Sequence, residues 1–349
     1  MSDTALETDA SAGAEPAATA PPGLRTGSEL VRAAKPYTVE DRPRTWRLLL
    51  AALAVYATFF AAALLVPAWP IQAVASVLAG LTIVRLFIFY HDHLHGAILA
   101  DSPLGKLIMR GVGMLTLNPP SVWKETHDYH HQNNAKLLGA SIGSYPVVTV
   151  KMWGALTPSQ RFWYAFARNP LTIAFGYLTI FMLGMCLASF ARAPRKHWQG
   201  PVAIAMHLAI ATGVGLTVGP LASFFAVILP LFVACAAGGY LFYAQHNFPD
   251  AKFKDRRGWE YWFAAVKSSS MFDMGPLMHW FTGNIGYHHV HHLNHKIPFY
   301  RLPEAMAAMP ELQSPGRTTW APRDVLACLR LKLWDAEQDR MVGWEAVSR

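Results

Sequence analysis

The sequence is short of charge: Asp, Glu, Lys and Arg make up 15% of its 349 residues, against 53% hydrophobic. Soluble domains carry about a quarter charged residues, and the mean hydropathy of +0.21 points instead to a membrane class. Cysteine is scarce as well. Cys186, Cys235 and Cys328 lie far apart without CxxC spacing, and two of them fall in apolar runs. That excludes a disulfide framework and a cysteine-based zinc site. The net charge of +8 comes from basic residues scattered along loops, with no basic helix or aromatic-basic platform, so nucleic acid is not an expected partner. Residues 1–30 have no basic start leading into an early apolar core and are rich in Ala, Pro, Thr and acidic residues, which reads as a disordered tail rather than a signal peptide.

What the sequence does have is long stretches free of Asp, Glu, Lys and Arg: Leu48 to Val84, Asn169 to Ala191, and His197 to Pro249. A bilayer crossing needs about 20 apolar residues. The first run is broken at "VPAWP", where two prolines favour a turn, and is expected to form a helical hairpin over 47–66 and 70–90. The loop over 85–168 carries eight Lys/Arg against four Asp/Glu, so by the positive-inside rule it and the N-terminus are expected in the cytoplasm. The second half offers three apolar pieces: 171–190, 201–218 and 221–243. Arg192, Arg195 and Lys196 follow the first piece, so 171–190 is expected to dip into the membrane or lie along it, while the other two form a second hairpin. Four spans then leave both termini cytoplasmic. The expected architecture is an all-α integral membrane protein: two hairpins, a membrane-associated segment and a cytoplasmic helical cap. Its divisions are the tail (1–30), a membrane domain (31–310) and a C-terminal cytoplasmic helical extension (311–349).

Fifteen histidines are present, and eight fall into three groups with helix-compatible spacing. These are His91 and His95 in "HDHLH"; His127, His130 and His131 in "HDYHH"; and His288, His291 and His292 in "HHVHH". Positions i, i+3 and i+4 share one helical face, so each group is expected to converge on one point, with His93 and His289 turned away. One apolar-face histidine is ordinarily a hydrogen-bonded core residue. Three such groups at membrane edges point instead to metal binding, since neutral imidazole is the commonest protein ligand and the site is an expensive one for idle polar groups. Eight donors exceed one four-coordinate ion, so two ions are implied. Imidazole suits iron, zinc, copper or nickel; zinc performs no redox chemistry, whereas a non-haem di-iron centre would employ eight or nine histidines.

The order HxxxH, HxxHH, HxxHH around two hairpins resembles the membrane fatty acid desaturase superfamily. "HDYHHQNNAKLLGASIGSYPV", "AQHNF" and "WFTGNIGYHHVHHLNHKIPFYRLPEA" are similar to bacterial acyl-lipid desaturases of the Δ12/ω6-like branch, over roughly residues 45–310. The resemblance implies that the eight histidines bind two irons, with His246 of "AQHNF" as the ninth ligand. Some stearoyl-type members also use an Asn four residues before this lone histidine; here that position is Phe242, and Asn284 is a candidate replacement. Asp92 and Asp128 are candidates to accept ring N–H bonds from behind the ligands. Trp123, Trp280, Phe281 and Tyr287 are candidates to line an acyl tunnel, although packing or interface anchoring is the commoner role for such residues.

The activity implied is O2-dependent introduction of a cis double bond into a lipid-linked fatty acyl chain. The implied location is the bacterial inner membrane, with the active site cytoplasmic. No cytochrome b5-like HPGG segment occurs, so a ferredoxin-like or cytochrome donor is expected to dock on the basic face. Two rivals remain open at this point: a hydroxylase or ketolase of the same superfamily, acting on alkane, carotenoid or sphingolipid, and a histidine-rich membrane metal transporter or sensor.

Overall fold

A computed structural model describes residues 23–137 and 143–347. Among the described residues, four helices are long and apolar enough to cross a membrane: α2 (Arg42–Leu65), α3 (Trp69–Leu94), α7 (Gln199–Thr217) and α8 (Pro220–His246). The breaks are where the chain's chemistry puts them. Val66, Pro67 and Ala68 separate α2 from α3, and Gly219, at φ 131°, separates α7 from α8. Asp41 caps α2 by accepting from the Arg44 amide, and Pro43 sits in the first turn, where its missing N–H costs nothing.

The most enclosed span is α3, which packs along α2 and along α8. Close approach to α8 depends on Gly80: a Cβ there would lie 2.6 Å from the Pro230 carbonyl oxygen and 2.8 Å from Val233 Cβ. Nearby, Ser76 Oγ donates to the Phe225 carbonyl at 2.6 Å. Small residues and a cross-helix hydrogen bond are how apolar helices associate where lipid supplies no hydrophobic drive.

The piece expected to dip is an apolar helix over Tyr177–Arg192 whose Tyr177–Ala188 portion is π-helical. Even at the α-helical rise it is only about 24 Å long, short of the ~30 Å hydrocarbon core. Short helices α4 (Pro103–Leu115), α5 (Pro120–Asn133) and α6 (Pro158–Ala167) fill the long loop. Ser102 caps α4, and a Thr157–Gln160 capping box opens α6. Exposed Phe162 and Phe166 stack along α6 with Trp163 edge-on to both, and exposed Leu104 and Leu107 lie on α4. A further short helix, α9 (His288–Leu293), carries the last histidine group.

Two boundaries differ from expectation. Residues 1–22 of the expected tail lie outside the described residues, but its end is folded: α1 spans Gly27–Ala33, Leu30 is buried, and Arg25 grips Glu311. The Ala- and Pro-rich composition of the preceding stretch masks this short amphipathic turn. The extension over 311–349 is not purely helical. Arg317–Thr319 pairs in parallel with Met271–Asp273, and Leu333–Asp335 forms an antiparallel pair with Arg340–Val342. Strands of three residues are too short to leave an alternation signal.

Candidate metal centre

The nine histidines come from four elements meeting at one end of the spans. The end of α3 supplies His91 and His95, α5 supplies His127, His130 and His131, α8 ends on His246, and α9 supplies His288, His291 and His292. The turn leading into α9 is set by Gly283 and Asn284, both in the left-handed region at φ 52° and 56°. Residues of this kind tolerate that region best.

The rings sort into two groups. His91, His95, His127, His131 and His291 form one, with a possible ligand atom of each within 4.8 Å of all the others; His130, His246, His288 and His292 form the second by the same measure. Neighbouring Nε2 atoms are 3.1 Å apart for His91 and His127, 3.0 Å for His127 and His131, and 3.1 Å for His131 and His291. In the second group His246 stands 3.0 Å from His130 and 2.8 Å from His288. Donors about 2.1 Å from a cation and at right angles to one another lie about 3.0 Å apart, so both groups have the spacing of ligands around an ion. The buried His95 Nε2 has no hydrogen-bond partner among the described residues, as fits an atom reserved for metal.

The expectation that each box converges on one point holds for His91 and His95, which share the first group, and is corrected for the two HxxHH boxes. His127 and His131 join the first group while His130 joins the second; His288 and His292 join the second while His291 joins the first. The helix explains the split. Positions i and i+4 are about 40° apart, but i+3 and i+4 are about 100° apart, so an HxxHH box fans to two sites.

Burial, together with the neighbouring histidines, holds His127, His130, His131, His288, His291 and His292 well below the usual imidazole pKa. They are therefore neutral, the form that binds metal. Asp92, almost wholly buried, accepts from His91 Nδ1 at 2.8 Å and from the Phe299 amide at 2.7 Å. That leaves His91 Nε2 as the free lone pair. His246 Nδ1 faces the Ser268 carbonyl at 3.3 Å, which aims its Nε2 the same way.

Other sequence candidates go elsewhere. Asp128 pairs with Lys124 at 2.7 Å on the surface instead of bracing a ring, because it points away from the face its histidines share. Asn284 donates to the Phe299 carbonyl at 3.2 Å, so it steadies the turn at Phe299 that Asp92 also holds and stands one step behind the histidines. The Phe242 ring fills the space beside the second group, 5.0 Å from His130 and 5.4 Å from His246. His93 and His289 engage the carbonyls of Ile98 and Leu312, as expected for rings turned away. His295, for which spacing suggested no role, packs 4.6 Å from the His95 ring.

An apolar cavity of about 470 Å³ begins at His91, His127 and His288 and runs between α3, the π-helix and α8 as far as Leu231. From Gln245 to Leu231 along α8 is about 21 Å, enough for the acyl chain of one leaflet, which takes up half of a ~30 Å hydrocarbon core. Trp123 lines it and stacks on His127 with ring centres 4.2 Å apart. Trp280, Phe281 and Tyr287 do not line it. Trp280 lies under the Arg85 guanidinium and binds it through its carbonyl, Phe281 is buried against Trp280, and Tyr287 packs on His279. The walls sequence reasoning missed are Phe87, Ile180, Phe181, Gly184 and Phe242. Nothing distinguishes these from other apolar residues until the helices are assembled.

The fatty acid desaturase family model matches residues 67–323. The chain is also similar to a protein of Bacillus subtilis (strain 168) named fatty acid desaturase, with 30% identity over 274 residues, 78% of this chain and 77% of the relative.

Proposed function

This chain belongs to the fatty acid desaturase family, and from that membership we propose an O2-dependent enzyme that introduces a cis double bond into a lipid-linked acyl chain, with one iron in each histidine group. The observation that carries the reading is the pair of adjacent histidine groups at the inner end of an acyl-sized apolar cavity. Iron with O2 and two electrons supplies the oxidising power to remove hydrogen from an unactivated methylene, which no side chain provides.

The chain's own residues account for the rest. The all-imidazole donor set adds no negative charge to either ion. Asp92 holds His91 in the tautomer that presents Nε2, and the carbonyl of Ser268 does the same for His246. Trp123 and Phe242 wall the cavity beside the two groups, restricting where a methylene can stand and keeping water from it. Electrons come from a ferredoxin-like or cytochrome partner on the basic face that carries the histidines. That face is cytoplasmic, in a bacterial inner membrane, because Lys and Arg cluster on it while the connectors at Val66–Ala68 and Gly219 carry no charge.

Expression in a host lacking polyunsaturated lipids, with profiling of fatty acid methyl esters and metal analysis of the purified protein, tests this. We expect a new cis double bond and two irons per chain. Hydroxylated chains without a new double bond would favour a hydroxylase, and one reversibly bound zinc a transporter or sensor.

A further inference from the structure

The apolar cavity is not sealed. Among its described wall residues Trp163, Phe166 and Gly184 are exposed, and the others are buried or half-buried. Trp163 and Phe166 stand on α6 and Gly184 on the π-helix, whereas no wall residue from α3 or α8 is exposed. The cavity therefore reaches the surface sideways, between α6 and the π-helix.

The surroundings of this opening are apolar on both lips. Along the π-helix Leu178, Leu183 and Leu187 are exposed, and no Asp, Glu, Lys or Arg occurs from Asn169 to Ala191. On α6, Trp163 is 60% exposed and Phe166 39%, and such side chains belong at the level where headgroups meet acyl chains. An outward face of this kind fits hydrocarbon, not water. The helix that carries the aromatics is also pinned at both ends. The Thr157–Gln160 capping box fixes its start; at its close the fully buried Arg168 donates to the Pro146 and Leu331 carbonyls and to Asn247, the neighbour of His246. The lip is thus held at the histidine end of the spans.

Gly184 keeps the opening clear. A Cβ there would meet only the Thr179 carbonyl oxygen, at 3.4 Å, and its φ is not positive, so neither packing nor backbone conformation calls for glycine at this place. We infer that the opening is a lateral door: the acyl chain of a glycerolipid slides through it broadside from the leaflet into the cavity, between Gly184 on one lip and Trp163 and Phe166 on the other. The inference rests on the desaturase reading given above and adds the substrate class that can reach the histidines. A two-chain membrane lipid enters without lifting its methylenes into water, which is unfavourable for each one exposed. Gly184 is then a specificity-determining residue that lies outside both histidine groups.

Time-resolved photocrosslinking of iron-loaded protein in nanodiscs, kept free of oxygen, tests this. Two probes carry the same diazirine-bearing acyl chain: a phosphatidylcholine delivered by lipid exchange, and a CoA thioester added from water. Flashes at increasing delays, followed by peptide mapping, give the rate at which label appears inside the cavity, on Phe87 and Trp123, and on the outer surface, at Leu183 and Leu187. We expect the phosphatidylcholine to label the wild-type cavity. In Gly184→Trp its rate of entry should fall by about 10-fold, as suits a bulky side chain crowding a packed passage, while the final level and the outer-surface label stay as in the wild type. Gly184→Ala should stay near the wild type. So should Leu183→Trp, which adds the same bulk at an exposed neighbour outside the cavity wall. If Gly184→Trp does not fold, judged by iron content and melting temperature, Gly184→Leu carries the test in the same direction at smaller size. An unchanged rate of entry in the blocking variant would overturn the inference, as would cavity labelling by the thioester alone. A lowered final level with an unchanged rate would make Gly184 part of the cavity's shape and overturn it too. No cavity labelling by either probe would sink the acyl-cavity reading itself, and the door with it.

Discussion

Asp92 and Asp128 occupy the same position in their motifs, each directly after the first histidine of a box, yet only Asp92 lies behind a ring. Asp92→Asn keeps the shape but loses the charge that holds His91 in one tautomer, so iron affinity of the five-histidine group should fall by about 10- to 100-fold. Asp128→Asn, on an exposed carboxylate, should change stability by no more than about 0.5 kcal/mol. Iron titration of the two variants, followed by a thermal melt, checks both. The nine histidines that the structure brings together were legible beforehand: imidazole at i, i+3 and i+4 is rare enough to stand out, and the family resemblance added His246. The division of each HxxHH box between two groups was not, because spacing alone leaves open how far around a helix two ions stand. Arg168 was equally hidden. Its partners, Pro146, Asn247 and Leu331, lie far from it in the chain, and no motif announces a buried cation.

At the scale of elements, the four spans were readable because charge is excluded from hydrocarbon, and the turns because proline and glycine break helices. The π-helix left no comparable trace, since its residues are ordinary apolar ones and the wider turn appears only when neighbours pack around it. Together with α8 and α3 it forms walls of the apolar cavity, so the crossing of α3 and α8 matters to both histidine groups: one helix carries His91 and the other His246. Gly80 is the residue that permits this crossing. Gly80→Ala places a methyl against backbone that cannot step aside, and the helices must separate. We expect a loss of about 1–3 kcal/mol, read as a lower melting temperature in detergent, with weaker iron retention in both groups. A methyl at Gly111, which faces open space on α4, should leave both unchanged.

For the whole molecule, the hairpins place the histidines and the first and last described segments on one side. The N-terminal Arg25 and the C-terminal Glu311 share two side-chain hydrogen bonds, of 2.7 and 3.0 Å, which are possible only if the two regions sit on the same face. Arg42, Arg44, Arg47, Lys106, Arg110 and Lys124 cluster toward that face, whereas the hairpin turns opposite are uncharged. The surface potential of the cytoplasmic leaflet favours the basic side inward. The protein's own cysteines make this testable without a cysteine-free background, because Cys186, Cys235 and Cys328 are all buried. A membrane-impermeant maleimide applied to intact spheroplasts should label Ala68→Cys, in the exposed turn between α2 and α3, and leave Arg256→Cys, in an exposed loop on the histidine side, unlabelled until lysis. The opposite pattern would put the metal centre outside, where a cytoplasmic electron donor could not reach it. Labelling of both sites before lysis would mean that the two positions share one face, and the pairing of spans into hairpins would have to be redrawn.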